Sequence, residues 1–271
     1  MDVDRIRALL GRGLPLRCLG SIDSTNTMAK QWARQGVPHG AAVLADRQTA
    51  GRGRLGRSFF SPEGGLYMSL IVDSVGIPPG QLTTLAAVAV LRAAEQVTGR
   101  QLHIKWVNDL LLDGRKVCGI LTEGIVQGDA VARSVIGIGV NTGPMALPME
   151  LEQTAGSLHL PGQPVDREAL AAQIIGGILD GLPRVPAHMA DYRARCITLG
   201  QQVAFVHEGR PRIGVAARMD DDGALWIATP EGPLRLLAGE VSLQAAGPAG
   251  AGARASDRSA ESVPQSAPPT R

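Results

Sequence analysis

Three glycines and three arginines alternate in "GRGRLGR", Gly51 to Arg57, the most concentrated chemistry in the chain. Glycine loses the most backbone freedom on ordering, and neighbouring guanidinium groups repel one another. A segment with both features suits an anion that must be wrapped closely, by backbone N–H groups and planar guanidinium forks. Three other stretches have the same character. "KWVND" brings together the cation of Lys105, the amide of Asn108 and the carboxylate of Asp109. "GRKVCGILTE" sets Lys116 two residues past a hairpin turn, on an otherwise apolar strand. "GIGVNTG" places Asn141 after a run of small residues that lets a ligand approach the backbone. A solvated face would explain any one of these; four on one sheet point to a site.

Several readings of the Arg/Gly segment fail on local grounds. Gly51, Gly53 and Gly56 formally spell GxGxxG, but a dinucleotide site needs a helix directly after the third glycine. "RSFFSPEGG" follows instead, and Pro62, Gly64 and Gly65 forbid a helix. The chain has no GK[ST] of a P-loop and no GxSxG elbow. Arg/Gly tracts that bind nucleic acid are repetitive, whereas this one occurs once between two apolar strands. A loop carrying arginines for solubility would account for the charge but not for the glycine spacing. A small anionic ligand remains.

The elements that must position these groups are legible in outline. "MDVDRIRALLGRG" reads as a short amphipathic helix and "LRCLGSI" as a strand. Ser24, Thr25 or Asn26 caps a helix that Gly36 stops. "GAAVLAD" and "GGLYMSLIVDS" are strands on either side of the Arg/Gly segment. The strongest helical pattern runs from Gln81 to Val97. A meander follows, with a type I′ turn expected at Asp113-Gly114 and another turn at 127–129. Two more helices are expected, from Asp166 to Leu182 and from Ala187 to Leu199. The pattern is α+β, with a mixed or antiparallel sheet. After Gly200 short strands alternate with "EGRP", "DDDG" and "PEGP" turns, the texture of a small all-β module. Boundaries are expected at 1–198 for the catalytic domain, 199–245 for the module and 246–271 for a Pro/Gly/Ala/Ser-rich disordered tail.

The 271 residues carry 27 basic and 25 acidic side chains, a net charge of +2. So balanced a chain has no global attraction to nucleic acid or membrane, and recognition must be local. Cys18, Cys118 and Cys196 stand far apart without CxxC spacing, and the five histidines form no HExxH. Neither a disulfide framework nor a zinc site is expected. The longest apolar run, Leu85 to Leu91, is too short to span a bilayer. No signal peptide is visible, so a cytoplasmic protein is expected.

In order, "DSTN", "ADRQTAGRGRLGR" with "FFSPEGGLYMSL", "KWVNDLLLDGRKVCGILTE", "GIGVN" and "GEVSL" resemble the bacterial biotin protein ligases (biotin–[acetyl-CoA-carboxylase] ligases), from about Arg17 to Gln244. Two departures stand out: Val107 replaces the family's usual Pro, and Phe59 stands where Trp is common. The resemblance implies the biotin/lipoate ligase fold with an SH3-like C-terminal domain. It implies ATP-dependent conversion of biotin to biotinyl-5′-AMP, with Mg²⁺ on the phosphates, and transfer to a lysine of a biotin carboxyl carrier protein domain. Ser24, Thr25, Asn26, Gln48, Gly51, Arg52, Gly53, Arg54, Lys116 and Gly119 are implied at biotin. Arg54, Arg57, Phe59, Lys105, Asn108 and Asn141 are implied at the nucleotide. Lys116, Arg54 and Asp109 are the implied catalytic residues, with Asn108 and Asp109 open between metal binding and orienting the acceptor lysine. About twenty residues precede "DSTN", fewer than a winged helix-turn-helix needs, so no DNA-binding function is expected. A lipoate–protein ligase and a nucleic-acid-binding regulator are the rival readings; a monomer and a homodimer are both open.

Overall fold

The computed structural model describes residues 1–127, 130–144 and 147–244. The expected tail and the centre of the expected turn at 127–129 lie outside the described residues.

Asp2 caps helix α1 (Val3–Leu10) by accepting from the N–H groups of Asp4 and Arg5, and Gly11 closes it at φ 62°. Strand β1 (Leu16–Ile22) leads to α2 (Thr25–Arg34), whose cap is Ser24. Strands β2 (Ala42–Gln48) and β3 (Leu66–Asp73) flank the Arg/Gly segment. Helix α3 (Pro79–Thr98) begins two residues before the expected Gln81. Pro79 occupies its first turn, where a missing N–H costs nothing and φ is already set. Strands β4 (His103–Lys105), β5 (Asp109–Leu112), β6 (Arg115–Gln127) and β7 (Ala130–Val140) form the meander. Asp113 and Gly114 both have positive φ at the β5–β6 turn, as a type I′ turn requires. Helices α4 (Arg167–Gly181) and α5 (Met189–Arg195) follow. Helix α5 ends four residues before the expected Leu199, because Cys196 bridges to Ile104 and Ile197 N–H bonds Ile104 O. The chain there extends along β4 instead of continuing as helix.

The first sheet has the order β1-β2-β3-β7-β6-β5-β4, with β1 and β2 parallel and the other pairs antiparallel. Both faces of β3 are covered, which is why "LYMSLIV" is apolar without alternation. Leu66, Met68, Leu70 and Val72 join the core formed with α3 and α4. Ile71 packs with Val43 and Val135 against Ala29 and Ala33 of α2. The mixed sheet with flanking helices is the α+β class expected.

The C-terminal module is a second sheet: β8 (Gln202–His207), β9 (Arg210–Met219), β10 (Leu225–Thr229), β11 (Gly232–Leu236) and β12 (Val241–Leu243), in the order β11-β10-β9-β8-β12. It is fastened to the first sheet through buried Trp106, whose Nε1 donates to Gly223 O at 2.9 Å. Among the described residues no helix is long and apolar enough to cross a membrane.

His188, buried ahead of α5, shares a 2.8 Å hydrogen bond between Nε2 and Thr84 Oγ1 on α3, and its Nδ1 is buried without a partner. Burial, helped by Arg193 and Arg92, pushes its pKa down to about 4. The unfolded chain takes up this proton near ~6.5, so the folded form is disfavoured as pH drops between the two values. Stability should be full above about pH 6.5 and about 2 kcal/mol lower at pH ~5. Urea unfolding of the parent and a His188→Gln variant checks this. The variant should lose most of that pH dependence; equal slopes would mean that His188 is not the group responsible.

Candidate active site

Residues 46–61 do not form a plain loop. Gly53 N–H donates to Arg57 O at 2.7 Å, Phe59 N–H to Gly51 O at 2.9 Å, and Gln48 N–H to Ser61 O at 3.1 Å. The segment is thus a short hairpin folded back over the sheet, with Leu55 at its tip in the left-handed region, φ 54°. Gly51 lies at the crossing, where a Cβ would come within 2.5 Å of Phe59 O. The hairpin is held at two points. Arg54 Nη1 donates to Asn108 Oδ1 at 2.8 Å, and Arg57 pairs with Glu240 at 2.6 Å, just ahead of β12.

The cleft beneath it runs across β6 and β7. On the face away from the main core these strands present Gly119, Gly137 and Gly139, with Gly119 and Gly139 directly paired. The missing side chains make room for two of the chain's own groups. A Cβ on Gly139 would stand 2.5 Å from the Phe59 ring, and one on Gly137 would stand 2.1 Å from Asn26 Oδ1. Small residues in "GIGVN" therefore bring Phe59 and Asn26 onto the backbone, the close approach expected for a ligand alone.

Charged groups gather at one end. Lys116 Nζ lies 2.7 Å from Asp109 Oδ1 on the paired strand and 5.7 Å from the centre of the Phe59 ring. Lys105, Asp109 and Asn108 line the same cleft. Asn108 is held by its own Nδ2, which donates to Ile120 O at 3.1 Å. The "KWVND" segment is fixed from behind by Tyr192, whose hydroxyl donates to Val107 O at 3.0 Å. The Trp106–Val107 peptide is cis. Among the described residues Arg52, Arg54 and Lys105 have no carboxylate partner within salt-bridge distance. Burial lowers the pKa of Arg54, with Asp109 and Glu240 acting the other way. A partly desolvated cation held by a neutral amide is poised to accept an anion.

The wall at the opposite end is neutral and directional, with a Lys30–Glu123 ion pair behind it. Thr25 N–H and Oγ1 lie 2.9 and 3.0 Å from Gln48 Oε1. A backbone N–H can only donate, so the Gln48 amide is fixed with Nε2 toward Ser61 Oγ, at 3.0 Å. Ser61 then donates to Phe59 O at 2.9 Å. On the other side of Thr25, the Ser69 hydroxyl lies 2.8 Å from Thr25 Oγ1 and 2.5 Å from Asn26 Oδ1, with one hydrogen to give. Asn26 Nδ2 donates to Glu123 Oε2 at 2.8 Å, and Glu123 Oε1 meets Lys30 Nζ at 2.7 Å.

Of the residues singled out in the sequence, Ser24, Thr25, Asn26, Gln48, Arg52, Gly53, Arg54, Arg57, Phe59, Lys105, Asn108, Asp109, Lys116 and Gly119 line this cleft. Gly51 and Asn141 are not on its wall. Asn141 is buried, and its Nδ2 donates to Gly156 O at 2.8 Å, clamping the segment after β7 beside Lys116. Sequence reasoning passed over Ser61, Ser69, Glu123, Lys30 and Glu240. Glu123 was accessible to it: in "CGILTE" it shares alternate positions with Gly119 and Leu121, and so the same face of β6.

The description "Biotin/lipoate A/B protein ligase family" matches residues 19–141. The chain is 35% identical over 237 residues to the bifunctional ligase/repressor BirA of Bacillus subtilis, covering 82% of this chain and 72% of that one. It is 34% identical to a biotin–[acetyl-CoA-carboxylase] ligase of Paracoccus denitrificans, over 82% of this chain and 98% of the relative. The structure of the Aquifex aeolicus biotin protein ligase in complex with biotin and ATP superposes with a TM-score of 0.73 at 31% identity, over 85% of this chain and 98% of that one. The chain belongs to the biotin protein ligases of the biotin/lipoate ligase family.

Because Asn26 occupies the space above Gly137, Gly137→Ala should be overpacked and destabilised by about 1–3 kcal/mol. Urea unfolding beside the parent measures this. Unchanged stability would show that Asn26 is not seated on β7.

Proposed function

We propose that this chain activates biotin with ATP to biotinyl-5′-AMP and transfers the biotinyl group to a lysine of a carrier-protein domain. The observation that carries this reading is the polarity of the cleft: cations without carboxylate partners at one end, a neutral hydrogen-bond chain at the other. Biotin has the same polarity. Its ureido ring offers one carbonyl acceptor and two N–H donors, which suit Thr25, Gln48 and their neighbours. Its carboxylate lies at the far end of an apolar chain.

In the first step a carboxylate oxygen bonds the α-phosphorus and the bond to pyrophosphate breaks. The reactants are both anionic, so the encounter is repulsive unless neutralised. Arg52, Arg54, Lys105 and Lys116 supply that field in a cleft shielded by the hairpin. Lys116 can pass from Asp109 to the oxygens that gain charge. In the second step the acceptor amine attacks the acyl carbon, AMP leaves, and the amine gives up a proton. Asp109, on the cleft wall, can orient the incoming lysine side chain. Phe59 offers the face on which an adenine can stack, with less area than a Trp. Mg²⁺ enters as the companion of the ATP phosphates, whose charge it offsets. Its ligands would be mainly phosphate oxygens and water, with Asn108 and Asp109 as the candidate protein ligands.

Incubation with biotin, ATP and Mg²⁺ followed by mass spectrometry tests the reading. Biotinyl-AMP should appear, and a carrier domain should gain one biotinyl group. Adenylate from lipoate but not biotin would favour the lipoate reading, and no adenylate at all would reject both. Lys116→Ala should lower the rate of adenylate formation by about a hundredfold or more, with a much smaller effect on ATP affinity. Equal rates in variant and parent would remove Lys116 from the chemistry.

Arg54→Gly should act differently. It removes the hairpin's tie to Asn108 but leaves Arg52, Lys105 and Lys116 in place. Biotinyl-AMP should still form, escape faster and label bystander lysines on a protein such as albumin. If the off-rate and the bystander labelling both equal the parent's, Arg54 does not fasten the hairpin over the product.

A further inference from the structure

Glu123 lies behind the cleft, on the same face of β6 as Gly119 and Leu121, which line it. Its hydrogen-bond partner on the cleft wall is Asn26. Glu123 is the only end of the hydrogen-bond chain whose role is fixed by charge. An ionised carboxylate can only accept, so Asn26 must turn its amide nitrogen to Glu123, with Leu121 O at 3.4 Å as a second acceptor. Asn26 Oδ1 must then face Ser69, which gives it its one hydrogen and turns a lone pair to Thr25. Thr25 in consequence gives its own hydrogen to Ser69, so that Gln48 Oε1 takes the Thr25 N–H alone and the Thr25 hydroxyl meets a ligand as an acceptor. If Asn26 flipped, its nitrogen would donate to Ser69, Ser69 would donate to Thr25, and the polarity seen by a ligand would change.

We propose that Glu123 is the positioning residue that fixes the donor–acceptor polarity of the biotin-recognising end of the cleft, with Lys30 as its counter-ion. The inference rests on the biotin reading above. Other charges are arranged consistently. Arg52, from the hairpin, is the other cation acting on Glu123. Arg133, on the neighbouring strand, is turned away to Asp73 and Ala33 O. Burial opposes ionisation, and the contacts from Lys30 and Asn26 outweigh it, so the carboxyl is held below its usual range. Loss of Lys30 should leave burial dominant and move the carboxyl upward.

Calorimetric titration of the full chain with biotin alone tests this, using the parent, Glu123→Gln, Lys30→Met and Lys30→Arg. A glutamine can donate or accept, so it tolerates both orientations of Asn26. Glu123→Gln should raise the Kd for biotin about tenfold at every pH, the size of effect expected when a hydrogen bond to a charged group is lost. Its kcat for adenylate formation at saturating biotin should stay near the parent's. Lys30→Met should bind like the parent at about pH 7.5 and weaken about threefold by about pH 5.5, where biotin's own carboxylate is still ionised. The parent and Lys30→Arg should be flat over that range.

A parent that binds no biotin overturns the ligase reading and this inference together. A parent that binds biotin, with Glu123→Gln equally tight or Lys30→Met flat with pH, overturns this inference alone. If Glu123→Gln fails to fold, the Lys30→Met profile decides.

Discussion

Three missing side chains on two paired strands shape the site. Gly119, Gly137 and Gly139 leave the face of β6 and β7 bare, so that groups from elsewhere can lie directly on the sheet. Phe59 reaches it from the hairpin and Asn26 from α2. Each depends on the absence of a Cβ, and no rotamer change could open the same space within a paired sheet. The opposite face of these strands is ordinary core: Cys118, Ile120, Ile136 and Ile138 pack with α3. One strand pair thus does two jobs through the alternation of its side chains. The buried face supplies rigidity, and the bare face supplies a floor for chemistry.

The two ends of that floor differ in their physics. At the cationic end positive charges are held close together by neutral or shared partners: Asn108 for Arg54, Asp109 for Lys116. Their mutual repulsion is an unfavourable term in the empty cleft and is relieved by an anion, which is how such a field favours the charged transition state over the resting state. At the neutral end recognition depends on direction instead of charge, and each hydroxyl has one hydrogen to commit. The C-terminal module joins the first end. Glu240 holds Arg57, and Gly223 receives Trp106, so the hairpin and the "KWVND" segment are each tied to the second sheet.

Much of this was legible in the sequence, for identifiable reasons. The Lys116 position past a type I′ turn and the Ser24 cap are local signals, and each describes a local structure that forms as read. The boundaries of α3 and α5 were displaced by effects a propensity pattern does not carry. Pro79 starts a helix from its first turn, and Cys196 is drawn into a bridge with Ile104. The side of the site that escaped reading is the one built by contacts across long sequence separations. Lys30, Ser69 and Glu123 come from three elements, and none is unusual in its own neighbourhood. Asn141 shows the converse: a polar residue in a telling motif whose amide is committed to the backbone of Gly156.

The hairpin and the bare sheet face must enclose the same ligand for the site to work as proposed. Hydrogen–deuterium exchange of residues 51–60, with and without a non-hydrolysable biotinyl-AMP analogue, measures that enclosure directly. Slower exchange at these residues and along β6 and β7 together is the expected result. Bound analogue with unchanged exchange in the hairpin would contradict the account, since the ligand would then lie on the sheet with no part of the Arg/Gly segment closed over it.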